Sequence, residues 1–177
     1  MKKHIVLFAF ILIAFSCSTQ KNVVATAKKD NSGNLIGITD KASFTEKPYS
    51  LWFNKGYETY KPNASVIAEL KPYLKGVKIK GFMGTWCGDS KRQVPVFYKI
   101  LEDANFNEKN IELVAVDYAK KTPDNLQEGL NIIRVPTFIF YRHGKEIGRF
   151  VEHPRETVEK DFLKIVSGKL YKHSYEK

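Results

Sequence analysis

Residues 84–91 read Gly-Thr-Trp-Cys-Gly-Asp-Ser-Lys, between a β-prone run at residues 77–83 and a helical pattern at residues 90–104. This order predicts that Cys87 lies at a strand-to-helix turn. The first backbone N–H groups of a helix have no partner within the helix, and partial positive charge collects there. Such a position stabilises a thiolate, which is the nucleophilic form of cysteine. We therefore predict that Cys87 is a reactive cysteine and not merely a small buried apolar residue.

Two segments of the chain resemble the thioredoxin family. Residues 86–91 with Pro95 are similar to the thioredoxin active-site segment, Trp-Cys-Gly-Pro-Cys-Lys followed by a proline five residues after the second cysteine. Residues 134–138, Arg-Val-Pro-Thr-Phe, resemble the segment with the family's cis-proline. The resemblance covers about residues 60–167. It implies an α/β thioredoxin-like fold, in which helices flank a central mixed β-sheet, and a cis peptide bond at Pro136 beside the thiol.

Three positions depart from the family pattern. Ser90 stands where thioredoxins have their second cysteine, and Asp89 stands where they have the intervening proline. Thioredoxins also bury an acid in the strand six residues before the first cysteine, and this position is Gly81 here. In the family, that acid is thought to help deprotonate the resolving thiol. A chain without a resolving thiol has no need of it.

The resemblance implies a role for each site residue. Cys87 is the nucleophile, and Ser90 either donates a hydrogen bond to its sulfur or bonds to the backbone as a first-turn serine. The Val135 backbone, exposed by a cis bond, would pair with an extended chain as an added strand. Trp86 either covers the thiol or only packs. The candidate catalytic residues are Cys87, Ser90 and Pro136, and the candidate substrate-binding residues are Trp86, Gly88, Asp89 and Val135.

The N-terminus has the layout of a secretory signal. Lys2 and Lys3 precede an apolar run at residues 5–15 that is too short to span a bilayer unaided. The sequence Ala-Phe-Ser-Cys at residues 14–17 resembles a bacterial lipoprotein cleavage site, which would make Cys17 the lipidated first residue. Ordinary cleavage and an uncleaved anchor are the alternatives. We expect a protein of the bacterial cell envelope, lipid-anchored to a membrane and facing the periplasm or the exterior.

The cysteine count limits the chemistry. The sequence contains two cysteines. If lipid occupies Cys17, Cys87 is the only thiol of the folded part, and no intramolecular disulfide can form. The domain is then neither stabilised by a disulfide nor a dithiol shuttle.

The composition of the chain limits the classes of molecule that we expect it to bind. The 177 residues carry a formal net charge of +10, which favours an anionic membrane surface or acidic partners. The lysines are scattered and no nucleic-acid motif occurs, so we expect no nucleic-acid partner. The four histidines show no metal-ligand spacing, and we expect neither a metal nor another cofactor. We also expect a monomer.

We predict five parts in the chain. They are a signal peptide at residues 1–16, a lipid-anchored tether at 17–22, an N-terminal extension at 23–60, a thioredoxin-like domain at 61–168 and a flexible tail at 169–177. The extension should begin with a β-hairpin, whose strands at residues 23–27 and 35–39 flank a turn-forming cluster. Its aromatic-rich stretch at residues 44–60 is either a packed cover over the sheet or an aromatic lip beside Cys87.

The pattern also predicts the elements of the domain. Strands are expected at residues 77–83, 111–116, 137–141 and 146–151. Helices are expected after an Asn63 cap, from Cys87 to residue 104, at residues 123–130 with Thr122 as cap, and at residues 154–166.

Two functions from different classes fit the sequence. The leading hypothesis is a monothiol thiol–disulfide oxidoreductase, whose partners are protein or small-molecule disulfides and an external resolving thiol. The alternative is a redox-inactive thioredoxin-fold module that binds peptides or acts like a chaperone. A single-cysteine peroxidase is a weaker third possibility, because such families place Thr or Ser three residues before the cysteine and Gly84 is found here.

Overall fold

A six-stranded β-sheet forms the centre of the protein in the computed structural model, which describes residues 24–176. The predicted signal, the tether and Cys17 lie outside the described residues. The strands are β1 Lys28–Lys29, β2 Leu35–Thr39, β3 Val77–Met83, β4 Ile111–Ala115, β5 Thr137–Arg142 and β6 Lys145–Val151. The α-helices of the described part are α1 Ser50–Thr59, α2 Ala64–Tyr73, α3 Gly88–Asp103 and α4 Val158–Ser167.

The sheet is mixed, and its strand order is β1-β2-β4-β3-β5-β6. β3 pairs in parallel with β4 and antiparallel with β5. β3 therefore lies inside the sheet with a neighbour on each side, and the chain leaves its end towards Cys87. The arrangement confirms the predicted α/β class with a central mixed sheet. The predicted strand at residues 77–83 is also confirmed.

Alternate residues of the central strands face opposite sides of the sheet. On one side, Ile79 of β3 and Leu113 of β4 join the main hydrophobic cluster with the helices. On the other side, Phe82 and Val114 join a smaller cluster that includes Val135 and is packed against Trp86, Cys87 and the loop residues Leu126, Leu130 and Ile132. The candidate nucleophile is thus part of the second, smaller core.

Contacts between phenylalanine rings pack α3 and α4 against the sheet. The Phe97 ring of α3 lies parallel to that of Phe138 on β5, with the centroids 4.1 Å apart. Phe162 of α4 meets both rings edge-on at 6.0 and 6.1 Å. All three side chains are fully buried. Because this packing is dense, the middle of α3 is held at a fixed distance from β5.

The aromatic-rich residues 44–60 form a packed cover. Phe44 stacks on Phe53 of α1 at 5.3 Å, and Phe53 meets Tyr98 of α3 at 5.9 Å. Phe44 and Phe53 are buried, at 0% and 4% exposure. These side chains therefore belong to the main core between α1 and α3, as the packing interpretation expected.

The N-terminal hairpin is present, but its first strand is not where we predicted it. The ladder with β2 involves Lys28 and Lys29, and residues 24–27 form no strand. The turn explains this position, because the Asp30 carboxylate accepts hydrogen bonds from the Ser32 and Asn34 N–H groups and fixes the turn directly after Lys29. The hairpin joins the main sheet, since β2 pairs antiparallel with β4.

The predicted helix at residues 123–130 does not form. These residues run through turns, and the Thr122 hydroxyl accepts a hydrogen bond from the N–H of Leu126, four residues later. Asn125 and Gly129 both have positive φ, of 51° and 72°. A left-handed residue ends a right-handed helix, so these two residues, four positions apart, prevent the predicted helix.

The last helix begins later than predicted, at Val158 with Thr157 as its N-cap. The Asp161 carboxylate accepts hydrogen bonds from the N–H groups of Arg155 and Glu156, and this holds residues 154–157 as a loop. Within residues 24–176, every helix is too short or too polar to span a bilayer.

The C-terminal tail, which we predicted to be flexible, contacts the domain in the structure. The Tyr171 hydroxyl donates a hydrogen bond to the Asp161 carboxylate at 3.2 Å, and the Ser174 hydroxyl donates one to the carbonyl of His153 at 3.2 Å. Residues 169–176 are thus placed along the domain by side-chain contacts rather than by secondary structure.

Candidate active site

Cys87 is the N-cap residue of α3, directly after the turn that follows β3. Its backbone is extended, and its carbonyl accepts the first helical hydrogen bond from Lys91 N–H at 3.0 Å. The thiol is free and half-buried. It therefore lies where the helix presents its unpaired N–H groups, as the sequence predicted.

The segment around Pro136 lies next to this sulfur. The Cys87 thiol donates a hydrogen bond to the carbonyl of Val135, with 3.2 Å between Sγ and O. The Val135–Pro136 peptide bond is cis, as the resemblance implied. On the far side, Glu152 N–H donates to the carbonyl of Pro136 at 2.7 Å. The structure thus brings together Cys87, Val135 and Pro136, from two segments that are far apart in the chain.

Trp86 is held beside the thiol by two contacts. Its indole Nε1–H donates to the carbonyl of Val116 at 2.9 Å, and its ring stacks on Tyr118 with the centroids 4.6 Å apart. The ring also lies over Gly84, where an added Cβ would come within 2.5 Å of the indole. A residue without a side chain is therefore needed at position 84.

The remaining predicted residues have different surroundings. Ser90 is fully buried and its hydroxyl accepts a hydrogen bond from Gly84 N–H at 3.1 Å. Within the described chain, Ser90 makes no hydrogen bond to the Cys87 sulfur. Asp89 forms an ion pair with Arg92 one turn later. Gly88 is exposed in the first turn of the helix.

Gly81 occupies an apolar position in the middle of β3. An added Cβ there would come within 2.7 Å of the Leu113 side chain and 3.1 Å of the Phe138 ring. Because a methyl group at this position would already meet the Leu113 side chain and the Phe138 ring, the larger acid that thioredoxins carry here would have to displace them. The space is filled by the neighbouring strands instead.

A cavity of about 380 Å³ opens beside the sulfur. Four of its lining residues lie in the two segments that the sequence singled out, namely Trp86, Cys87, Arg134 and Val135. Five others were not predicted, namely Tyr118, Lys120, Ile133, Glu152 and Tyr175. The missed residues come from the loop after β4, from the end of β6 and from the tail. No motif marks them, because they meet only when the chain is folded.

The charges of the cavity are mixed. Lys120 and Arg134 contribute two positive charges and Glu152 one negative charge. Arg134 Nε lies 4.0 Å from the Glu152 carboxylate, so this pair is loose and exposed on the arginine side. Such a pair contributes little to stability. Because its lining contains both charged side chains and aromatic rings, the cavity can accept both polar and apolar groups next to the sulfur.

None of residues 44–60 is among the described residues that line this cavity, so the aromatic lip proposed from the sequence is not part of it. Its aromatic walls come from Trp86, Tyr118 and Tyr175 instead. Between residues 24 and 176, no cluster of three His, Cys, Asp or Glu side chains is arranged to hold a metal ion.

Comparison with known proteins agrees with the resemblance seen in the sequence. The thioredoxin family model matches residues 37–163. A thioredoxin-like protein of Acanthamoeba polyphaga mimivirus is 30% identical over 89 residues, which are 50% of this chain and 62% of the viral protein. Putative thioredoxin-5 of Dictyostelium discoideum is 35% identical over 96 residues, or 53% of this chain and 84% of that protein. The chain thus spans less than two thirds of the viral relative.

Among solved structures, a Pseudomonas aeruginosa protein of unknown function has a similar fold. The TM-score is 0.55 at 18% identity, and the match covers 76% of this chain and 95% of that protein. This similarity concerns the fold alone.

Proposed function

We propose that this chain, which belongs to the thioredoxin family, is a monothiol thiol–disulfide oxidoreductase. Cys87 would form mixed disulfides that an external thiol resolves. The observation that carries the proposal is the half-buried Cys87 thiol at a helix N-terminus, 3.2 Å from the carbonyl of Val135.

The reaction has two exchanges. The Cys87 thiolate attacks one sulfur of a substrate disulfide, a bond forms between the two sulfurs, and the substrate S–S bond breaks. Its electron pair leaves on the second substrate sulfur as a thiolate. An external thiolate, from a small molecule or a protein, then attacks the mixed disulfide. This step releases the Cys87 thiolate and forms a new disulfide between the external sulfur and the first substrate sulfur. In the net reaction the external thiol takes the place of the second substrate sulfur, which leaves as a free thiolate.

Ser90 explains why the second thiol must be external. A hydroxyl at the position of the family's resolving cysteine cannot attack the mixed disulfide, and the Ser90 hydroxyl is already occupied by Gly84 N–H. Cys87 is the only free cysteine in the described part of the chain. The mixed disulfide should consequently persist until another thiol arrives.

The test uses the protein from residue 18 onwards, so that Cys17 is removed. We expect it to reduce a small mixed disulfide when a thiol is added, and to reduce a stable protein disulfide poorly on its own. Cys87→Ser is the matched control and should have no activity. Equal activity in the Cys87→Ser variant would refute the proposal.

The exposed apolar rim of the cavity supports a second candidate function. Tyr118 is 65% exposed and Ile133 is 41% exposed, and both lie at the mouth of the cavity. Such a rim fits a peptide-binding or chaperone-like module whose thiol is incidental. Partner capture that is unchanged in Cys87→Ser would favour this function over exchange chemistry.

We also propose a place for the protein in the cell. The signal-like residues 1–16 and the cysteine at position 17 support a lipoprotein of the bacterial cell envelope, anchored to a membrane and facing the periplasm or the exterior. The disulfide substrates and the resolving thiol would then be those of the envelope, and the domain would act as a monomer.

A further inference from the structure

The C-terminal tail, residues 169–176, reaches the candidate active site although it follows the last helix. It lies beyond residues 37–163, which are the part matched by the family model. Tyr175 nevertheless lines the same cavity as Cys87. The tail thus contributes to the site a residue that lies outside the family match.

Tyr175 is attached to the cavity rim by three contacts. Its hydroxyl donates a hydrogen bond to the Glu152 carboxylate. The Arg134 guanidinium lies over its ring, 5.3 Å from the centroid, and the His153 ring meets it edge-on at 6.1 Å. Glu152 itself follows β6 and donates its N–H to Pro136. The ring is thus tied to the segment that places Val135 beside the sulfur.

The position of Tyr175 affects how an extended chain can bind next to Val135. A partner that pairs with the Val135 backbone as an added strand must continue past Arg134 in one of its two directions. The Tyr175 ring packs against the Arg134 guanidinium and lines the same cavity as Val135, so a chain that continues past Arg134 would meet this ring.

We propose that Tyr175 is a specificity-determining residue, which limits how far a disulfide partner extends past Arg134. This inference rests on the proposed function. The site accepts a cysteine at or near a chain end, or in a chain that turns away at this point. An extended segment with several residues on that side must give up its strand pairing.

The experiment compares three mixed disulfides with thionitrobenzoate. The peptides are a capped cysteine, a cysteine with three added residues on its N-terminal side, and one with three on its C-terminal side. Cys87 thiolate forms a disulfide with the peptide sulfur, and the thionitrobenzoate anion leaves and is measured by its colour. The rate constant for each peptide is determined with the protein from residue 18 onwards.

We expect the wild-type protein to react with one of the two extended peptides about fivefold more slowly than with the other, as expected for the loss of one or two strand pairs. In Tyr175→Ala this ratio should approach one because the slow rate rises. Leu170→Ala is the matched control, since Leu170 is 90% exposed in the same tail, and should keep the wild-type ratio.

Two results would overturn the inference. One is a wild-type ratio close to one, and the other is a Tyr175→Ala variant in which all three rates fall together, which would make Tyr175 an ordinary binding contact. A wild-type protein that reacts with none of the three would instead refute the proposed function, and this inference with it.

Discussion

At the scale of single residues, Gly84 determines how Trp86 lies beside the sulfur. A Cβ at position 84 would come within 2.5 to 2.9 Å of three indole atoms. At Gly88, four residues later, the nearest heavy atom to an added Cβ is an Arg92 nitrogen at 3.7 Å. The two glycines flank the same cysteine, yet only the first is required by packing.

We therefore predict that Gly84→Ala lowers the free energy of unfolding by about 1–3 kcal/mol, because the added methyl displaces the indole. Gly88→Ala should change it by less than about 1 kcal/mol, because its methyl meets only the end of a flexible side chain. Urea unfolding of both variants is the measurement. Equal losses would contradict the close contact between Gly84 and Trp86.

Ser90 allows a second test at this scale. Ser90→Cys restores the family's second cysteine one turn after Cys87. We predict that the mixed disulfide of this variant decays without added thiol, since an internal thiol can now attack it. Ser90→Ala is the control, and it should keep the dependence on added thiol. Both variants remove the hydroxyl that Gly84 N–H bonds to, and should lose about 1–3 kcal/mol of stability.

At the scale of elements, Glu159 joins the start of α2 to α4. Its carboxylate accepts a hydrogen bond from the Tyr60 hydroxyl at 2.6 Å and one from Asn63 N–H at 3.2 Å. Burial raises the pKa of Glu159, but these hydrogen bonds, together with those from its own N–H and from the Thr157 hydroxyl, outweigh burial and leave the pKa below its ordinary value. The ionised form thus binds the two helices together.

The direction of this shift gives a pH dependence. Glutamate in an unfolded chain titrates near a pKa of about 4.3. Because the folded pKa is lower, Glu159 stabilises the fold above that pH, and this stabilisation is lost as the pH falls through the folded pKa. We predict that Tyr60→Phe lowers the free energy of unfolding by about 1–2 kcal/mol at pH 7 and by less at pH 3.

Urea unfolding at the two pH values measures this difference. Tyr73→Phe is a suitable control because Tyr73 is 42% exposed at the end of α2, and it should behave like wild type at both pH values. A loss in Tyr60→Phe that is the same at pH 3 and pH 7 would show that the bond does not depend on the charge of Glu159.

The correctly predicted elements are those in which apolar residues repeat at regular spacing, because one face of the element is buried in the core. The apolar residues of β3 and the helical stripe of α3 repeat with the period of the element. The segment at residues 123–130 also has a cap and a proline in helical order, but its backbone is set by Asn125 and Gly129 at positive φ. Asparagine and glycine permit this conformation without requiring it, so sequence alone does not decide it.

At the scale of the whole molecule, the two cysteines have separate predicted tasks. Cys17 would hold the lipid and Cys87 would exchange disulfides. We predict that intact-mass analysis of the protein isolated from cells finds an acylated Cys17 as its first residue. Cys17→Ser should lose the lipid, while Cys87→Ser should keep it. A wild-type protein that begins elsewhere, or that retains residues 1–16, would contradict the anchor.

The site could be predicted from the sequence only in part. Cys87 and Pro136 were found because they lie in two short segments that resemble one family. Tyr175 and Glu152 reach the same cavity from the tail and from the end of β6, and no motif in the sequence marks either of them. Contacts of this kind depend on the path of the whole chain.

The N-terminal hairpin has a practical consequence for shortened proteins. β2 covers the outer edge of β4, whose residues at positions 111–115 are mostly buried and apolar. A truncated protein that starts after Thr39 would leave this edge open to solvent, where unpaired backbone groups on a hydrophobic strand recruit other chains. Fusion proteins and crystallisation variants should accordingly retain residues 24–39, or they will precipitate through intermolecular strand pairing.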